Sequence, residues 1–230
     1  MLEIKKAGLV KRGIAALVDL ILIVALCIGV GFVVSPMTNY DEKMQEYEEL
    51  IDEYTEKYGI DTELTQEQFD KMTKEEQDAY NKRVEEANAA LNEDEEALEL
   101  YYDIIVLSLF NATVGILVAY LVLGFVVPLL FGNGQTIGKK LFGIGIVSFS
   151  GNRINIIQLL VNSGIKGVSL WLVPAMYCFA LMHLGVSFVC VQCVIALLCL
   201  INIICFLATK NRLWLHNAIS RTVCADVREL

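Results

Sequence analysis

Two ionisable side chains lie at the first apolar segment of the chain. Arg12 precedes it, and Asp19 is the one charged residue among the 21 residues from Ile14 to Val34. A carboxylate inside a bilayer costs about 2.5–3.5 kcal/mol on insertion scales, so Asp19 must be paired, hydrated or protonated. Arg12 lies two helical turns earlier on the same face. The spacing predicts one of two roles. Arg12 and Asp19 form an ion pair that serves transport, or Arg12 lies at the membrane interface and Asp19 only stabilises the packing of one helix on another.

The segment that holds this pair is long enough to cross a membrane. At about 1.5 Å per residue, its 21 residues match a hydrocarbon core of roughly 30 Å. The whole chain has 230 residues, of which 56% are hydrophobic, and a mean hydropathy of +0.55. The first apolar run is too long for a signal peptide, and no small-x-small cleavage site follows it. The sequence therefore predicts an integral membrane protein in contact with the lipid bilayer.

Further apolar blocks predict an all-α membrane protein with four transmembrane helices. Basic residues precede the first block and follow the last one, so the positive-inside rule places both termini in the cytoplasm. The predicted order is a cytoplasmic N-terminus with span one (1–34), an extracytoplasmic segment (35–103), span two (104–131), a cytoplasmic loop (132–167), spans three and four (168–209) and a cytoplasmic tail (210–230).

The segment between the first two spans is strongly acidic. Residues 35–103 carry 23 of the 27 acidic residues and 6 of the 18 basic ones, so the rest of the chain is basic. Heptad spacing of apolar residues and tyrosines, with capping boxes that begin at Thr65 and Thr73, predicts a coiled-coil-like helical hairpin. Most of these acidic residues are expected to form a solvated face, and a vestibule that attracts cations is the alternative. We expect residues 40–103 to contact a second copy or another membrane partner. Nucleic-acid binding is not expected, because no basic face lies outside the membrane flanks.

A glycine-rich loop follows the second span. The stretch Gly132–Gly143 lacks the GxxxxGK[ST] spacing of a nucleotide-binding loop. Beyond it, isoleucines on both sides of Ser150-Gly151-Asn152 predict a short cytoplasmic β-hairpin. The predicted strand residues are Ile144, Ile146, Ile154 and Ile156.

The sequence offers no catalytic or metal site. Seven cysteines occur, none of them between residues 35 and 103, so a disulfide-stapled outer domain is excluded. The CxxC spacing of Cys190 and Cys193 lacks the second pair that a zinc site needs. No nucleophile–base pair is present in the pattern either. We therefore expect no enzyme activity, no metal and no cofactor.

Three motifs together resemble the RDD family of bacterial membrane proteins. The first is Arg-x-x-Ala-x-x-x-Asp, which Arg12 and Asp19 match around Ala15. The second is an inner-loop Gly-Gln-Thr-x-Gly-Lys motif. It is matched by Gly134, Gln135, Thr136, Gly138 and Lys139.

The third motif lies near the C-terminus, and this chain departs from it at one position. The motif resembles Arg-x-x-x-His-Asp-x-x-x-x-Thr and is matched by Arg212, His216 and Thr222. Asn217 stands where the motif has its second aspartate. The resemblance covers the spans and inner loops but not the acidic hairpin. It implies a multi-pass protein of the bacterial cell membrane, and transport, including sodium/proton antiport, has been attributed to some members.

Two functions follow from these observations. In the first, the chain transports cations or small solutes, Asp19 exchanges its proton, Arg12 tunes that carboxylate and His216 is a proton partner. Because Asn217 cannot ionise, Asp19 would have to act alone or with His216. In the second, the chain is a non-transporting scaffold or accessory subunit whose outer hairpin binds a partner. The first is the narrow preference from sequence, and an Asp19→Asn variant discriminates between them.

Overall fold

The computed structural model describes residues 6–150, 153–168, 188–209 and 213–227. The chain forms two compact units. One unit is Val34–Ser108, which is the acidic segment. The other combines Met1–Val33 with Leu109–Leu230 and contains most of the two long apolar helices.

The acidic unit is a helical hairpin, as predicted. Its elements are α2 (Tyr40–Lys57), α3 (Gln66–Lys71), α4 (Lys74–Glu93) and the first turns of α5 (Glu95–Tyr120).

Contacts along the hairpin run in opposite directions on its two arms. The ring of Tyr47 lies 6.0 Å from that of Tyr101, whereas the hydroxyl of Tyr54 donates to Asp94 Oδ2 at 2.6 Å. Moving forward along α2 therefore means moving backward along α5, which is an antiparallel arrangement. Tyr47 and Tyr54, two of the tyrosines in the heptad pattern of the sequence, lie at this contact.

Local sequence signals set the helix ends in this unit. Both predicted capping boxes are present: the side chain of Thr65 accepts from the N–H of Gln68, and that of Thr73 accepts from the N–H of Glu76. At the end of α2, Gly59 has a φ of +63° and closes the helix with a Schellman pair of backbone bonds.

Two helices of the described chain are long and apolar enough to cross a membrane. They are Leu9–Met37 and Glu95–Phe131. The first contains α1 (Leu9–Val34), and the second contains α5, a π-helical turn (Leu121–Val126) and α6 (Val127–Phe131). A third apolar helix, α9, spans Phe188–Ala208. Most of the predicted third span lies outside the described residues, so the four-span topology stays a prediction.

The helices α1 and α5 approach closely where α5 has a glycine. A Cβ built on Gly115 would lie 2.8 Å from Cys27 Sγ and 2.9 Å from the carbonyl oxygen of Cys27. Small residues at such a crossing let two membrane helices pack backbone to backbone. Ile23, Ala119 and Tyr120 continue this contact as a buried cluster.

The remaining described elements are α7 (Ile137–Leu141), β1 (Ile144–Ser148), α8 (Ile156–Gly167), α10 (Leu215–Ile219) and β2 (Thr222–Asp226). The strands β1 and β2 form an antiparallel pair in which Ile146 faces Cys224. The N-terminal segment joins this pair, since Lys6 bridges to Ala225 and the N–H of Ala7 donates to the carbonyl of Cys224 at 3.1 Å. The two ends of the described chain thus meet in one small sheet.

The predicted β-hairpin between the isoleucine pairs is wrong. The first pair does form β1, but its partner is β2, and a single bridge joins Val147 to Arg153. Ile154 lies outside any strand and Ile156 begins α8. The physical reason is a capping box: Asn155 accepts from the N–H of Gln158, which starts a helix where the second strand was expected.

Tyr120 holds α8 against the second membrane helix. Its hydroxyl donates to the carbonyl oxygen of Ser163 at 2.5 Å. A Cβ on Gly167 would lie 2.3 Å from one edge of its ring, and a Cβ on Gly124 would lie 2.4 Å from the other edge. Glycines at both positions make room for the ring, and this fixes α8 beneath the apolar helices.

Candidate functional site

The carboxylate of Asp19 is buried and bound by the inner loop. The residue is 9% exposed and lies in the first half of the apolar helix α1. The hydroxyl of Thr136 donates to Oδ2 at 2.5 Å, and the backbone N–H of Gly138 donates to Oδ1 at 2.8 Å. Each oxygen therefore has a donor, which is what a buried carboxylate requires.

The start of α7 brings both donors to Asp19. Thr136 is the N-cap, and its Oγ1 accepts from the backbone N–H of Lys139 at 3.4 Å, so its own hydrogen is left for Asp19. Gly138 lies directly on α1, because a Cβ built there would be 2.2 Å from the carbonyl oxygen of Ala15. The inner-loop motif thus needs a threonine that caps and donates, and a glycine that permits backbone contact.

Arg12 is not the partner of Asp19 in this structure. Among the described residues no hydrogen bond or ion pair joins the two side chains, so the predicted ion pair is not formed. Seven residues along a helix correspond to roughly 10 Å, and the loop donors already occupy the carboxylate. The Nε of Arg12 is instead buried and has no hydrogen-bond partner in the described parts of the chain.

The other residues of the inner-loop motif hold the loop itself. The Nε2 of Gln135 donates to the carbonyl oxygen of Ile144 at 3.0 Å, which ties the loop to β1. The Nζ of Lys139 lies 3.4 Å from the carbonyl oxygen of Gly134. Gly134 adopts a φ of +56°, a left-handed conformation that favours glycine. Asp19 and the inner-loop motif, distant in sequence, therefore form one site.

The C-terminal motif surrounds Asn162 of α8. The Nδ2 of Asn162 donates to Asn217 Oδ1 at 2.8 Å and lies 3.0 Å from Ser220 Oγ and 3.2 Å from Thr222 Oγ1. The hydroxyl of Thr222 also donates to Asn217 Oδ1, at 3.3 Å. All four residues are buried. Asn217 thus acts through an acceptor oxygen, a role that the motif's aspartate could fill in the same way.

Two residues of this cluster were missed by the sequence motifs. Asn162 lies within α8 and Ser220 directly follows α10, and nothing in their spacing indicates that the two side chains are in contact. The matching Arg212 lies outside the described residues, so its prediction has no structural outcome. His216 is described, and its Nδ1 is buried with no hydrogen-bond partner among the residues that the structure describes.

Three positive side chains act on the buried thiol of Cys224. Burial raises the pKa of Cys224, whereas the charges of Lys139, Arg12 and Lys166 each oppose that rise. Burial lowers the pKa of Lys166 to about 8, and the charge of Lys139 adds to this shift. The pKa of His216 falls to about 3, again mainly through burial. His216 is therefore neutral near pH 7, which makes it a poor proton partner there.

Metal ligands do not cluster in the described parts of the chain. No group of three or more His, Cys, Asp and Glu side chains there could hold a metal ion. The groove between α5 and α8 is lined by apolar residues and glycines, including Leu117, Tyr120 and Phe125. The buried polar contacts described above are those of Asp19 with the inner loop and of Asn162 with the C-terminal motif.

These site residues fall within the part of the chain that a known family matches. No curated protein and no solved structure matches the chain. The model of the RDD family matches residues 6–221, a range that contains Asp19, the inner-loop motif and Asn217. The chain therefore belongs to the RDD family, whose members are membrane proteins.

Proposed function

We propose that this RDD protein is a membrane scaffold or accessory subunit in which Asp19 fastens the inner loop to the first membrane helix. The observation that carries the proposal is the pair of donors on the carboxylate. Thr136 occupies Oδ2 and Gly138 occupies Oδ1, so the buried group is satisfied without a bound cation. The cluster of Asn162 and Asn217 fastens α8 to α10 in the same manner, with neutral side chains.

In this function the hairpin unit is the part that meets a partner. The exposed surface of the hairpin is rich in Asp and Glu, and part of α5 adds apolar area. Leu98, Tyr101 and Tyr102 are 46%, 51% and 48% exposed. Tyrosine combines a large apolar ring with a polar tip, and it is enriched at protein interfaces. A second copy of the chain or another membrane protein would bind here, on the extracytoplasmic side.

Cation or small-solute transport, of the sodium/proton exchange type, is the second candidate. One observation favours it: a carboxylate within a membrane helix, next to a hydroxyl. The hydroxyl of Thr136 donates to Asp19 here, yet it can turn and accept if Asp19 takes up a proton. The Asp19 site can therefore hold either protonation state without losing its hydrogen bond to Thr136.

The Asp19→Asn and Asp19→Ala variants separate the two functions. Asparagine retains an oxygen for the N–H of Gly138 and offers an amide to the hydroxyl of Thr136, but it cannot exchange a proton. Alanine leaves both donors unpaired, at a cost of roughly 1–3 kcal/mol for each buried group. A scaffold predicts that asparagine keeps thermal stability in detergent and alanine lowers it.

A measurement of ion flux decides between the scaffold and the transporter. The purified chain is reconstituted in proteoliposomes, and sodium-dependent proton movement is measured for the parent and for Asp19→Asn. The scaffold predicts no flux in either. Flux in the parent that disappears in a stably folded Asp19→Asn variant would establish exchange at Asp19 and refute the scaffold.

A further inference from the structure

Helix α8 presents an exposed apolar stripe along one side. The stripe consists of residues three, four or seven positions apart, which share one face of a helix: Ile157, Leu160, Val161 and, directly after the helix, Val168. On the opposite face Asn162 and Ser163 are buried, and Asn162 binds the C-terminal motif. A helix that is apolar on one side and polar on the other is typical of helices that lie in the surface of a bilayer.

A hydrogen bond fixes α8 beside the second membrane helix. The hydroxyl of Tyr120 donates to the carbonyl oxygen of Ser163 at 2.5 Å, within one compact unit of the chain. On the same helix as Tyr120, Leu117 and Leu121 lie four residues apart and are 40% and 47% exposed. They belong to the apolar surface of a helix that is long enough to cross a membrane. Tyr120 thus places α8 next to a surface that faces lipid.

Between the two helices lies an apolar groove with a volume of about 180 Å³, which we call the α8 groove. Its lining includes Leu117, Tyr120, Leu121 and Phe125 from the membrane helix and Gly164 and Val168 from the α8 side. Among its described lining residues none is charged, and the hydroxyl of Tyr120 is already bonded to Ser163. A whole helix, about 10–12 Å wide, would not fit in this volume, whereas a hydrocarbon chain would. The groove therefore suits a long, narrow apolar ligand.

We propose that the α8 groove holds an acyl chain of a membrane phospholipid, and that the stripe of α8 lies in the bilayer surface. Continuity with the membrane helix identifies the occupant, because Leu117 and Leu121 line the groove and also belong to the lipid-facing surface of that helix. In the predicted orientation α8 is on the cytoplasmic side, so the lipid belongs to the inner leaflet. The Asp19 site is not involved, and the proposal holds for a scaffold and for a transporter.

The first measurement locates acyl chains on the protein. The full chain is reconstituted in phosphatidylcholine vesicles that contain a phosphatidylcholine with a photoreactive diazirine on one acyl chain. After illumination and digestion with trypsin, mass spectrometry compares two peptides. Residues 154–166 contain most of α8, and residues 58–71 of the acidic hairpin provide the background outside the membrane. We expect labelling of 154–166 to exceed that background several-fold.

The second measurement tests whether the lipid occupies the groove. A Cβ on Gly164 would meet nothing within 4 Å, so Gly164→Leu fills the groove without displacing the protein. Gly29→Leu is the matched control, because Gly29 lies in equally open space on α1 and does not line the groove. Native mass spectrometry in neutral detergent measures the fraction of chains that retain a phospholipid. We expect that fraction to fall several-fold in Gly164→Leu alone, with the thermal midpoint of the parent retained in both variants.

Three results would overturn the proposal. The first is labelling of residues 154–166 that does not exceed the hairpin background. The second is an equal lipid-bound fraction in Gly164→Leu and Gly29→Leu, whether high or low, since the groove would then not be the binding site. The third is a thermal midpoint that falls by several degrees in Gly164→Leu but not in Gly29→Leu. Such a fall would show that a protein segment, from this chain or from a second copy, fills the groove.

Discussion

Gly138 decides how closely the inner loop approaches the first membrane helix. Its position leaves no room for a side chain, because a Cβ would lie 2.2 Å from the carbonyl oxygen of Ala15 and 2.9 Å from Asp19 Oδ1. Backbone contact of this kind places the N–H of Gly138 within reach of the carboxylate. The hydrogen bond and the steric constraint thus have one origin, the absence of a side chain at this residue.

A Gly138→Ala variant should therefore be destabilised by about 1–3 kcal/mol, since the loop must move off α1. Gly29→Ala in α1 is the control, because a Cβ on Gly29 would meet nothing within 4 Å. Alanine there should be neutral or stabilise the helix by up to about 1 kcal/mol. Thermal unfolding in detergent measures both, and equal midpoints for the two variants would refute the contact.

Asn217 shows how a neutral residue can serve where the family motif has an acid. The oxygen of Asn217 accepts from Asn162 and Thr222, and neither donor requires a charge on its partner. We expect Asn217→Asp to fold with nearly unchanged stability, because the acceptor is retained. Asn217→Leu should lose about 1–3 kcal/mol, because the buried amide of Asn162 loses its shortest hydrogen bond. Denaturant unfolding distinguishes these outcomes, and equal losses would show that shape rather than the acceptor matters.

Among the helices, α2 is joined to the start of α5 by a hydrogen bond between two side chains. Asp94 accepts from the hydroxyl of Tyr54 and from the N–H groups of Glu96 and Ala97, so it joins α2 to the beginning of α5. The bond to Asp94 raises the pKa of Tyr54 to about 12. The same hydroxyl lowers the pKa of Asp94 below its usual value.

Removing that hydroxyl should loosen the junction between α4 and α5. In Tyr54→Phe we expect faster amide hydrogen exchange at residues 94–97 than in the parent. Tyr58→Phe is the control, because Tyr58 stacks on Tyr54 with a ring separation of 6.4 Å but makes no bond to Asp94. Exchange that accelerates equally in both variants would assign the effect to ring packing instead.

Local signals predicted the helices better than they predicted the sheet. Capping residues such as Thr65 and Thr73 act within one helical turn, so the helix starts they set can be predicted from residues that are neighbours in the sequence. The pairing of β1 with β2 joins residues far apart in the chain, and no nearby pattern distinguishes it from a hairpin. The signal that could have prevented the error was Asn155 with Gln158, a third capping box.

The same distinction applies to the candidate site. The motifs identified Asp19, Thr136 and Gly138 as separate features of the sequence, and all three meet in the structure. Their contact could not be derived, because it depends on how α7 docks on α1. Arg12 was the nearer candidate in sequence, and proximity along one helix gave the wrong partner for Asp19.

Charge is divided unevenly across the chain as a whole, and this division predicts its orientation. The acidic residues lie almost entirely in 35–103, and the basic residues dominate the inner loops and both ends. Positive loops remain in the cytoplasm. We expect an impermeant maleimide to label Glu63→Cys in intact cells but to label Lys140→Cys only after the membrane is opened.

Both labelling positions are exposed, and residues 35–103 contain no native cysteine that would obscure the first. The unsubstituted chain provides the background for the other cysteines. Labelling of Lys140→Cys from outside would place the inner loop on the wrong side and refute the predicted topology.

The small sheet also constrains the order in which the protein can be made. Lys6 and Ala7 bind residues of β2, and β2 is the last of the described elements along the chain. Until the residues of β2 have been synthesised, β1 and the N-terminal segment lack the strand with which they pair. The sheet can therefore close only after translation has passed Asp226, which makes its formation a late step in the folding of this chain.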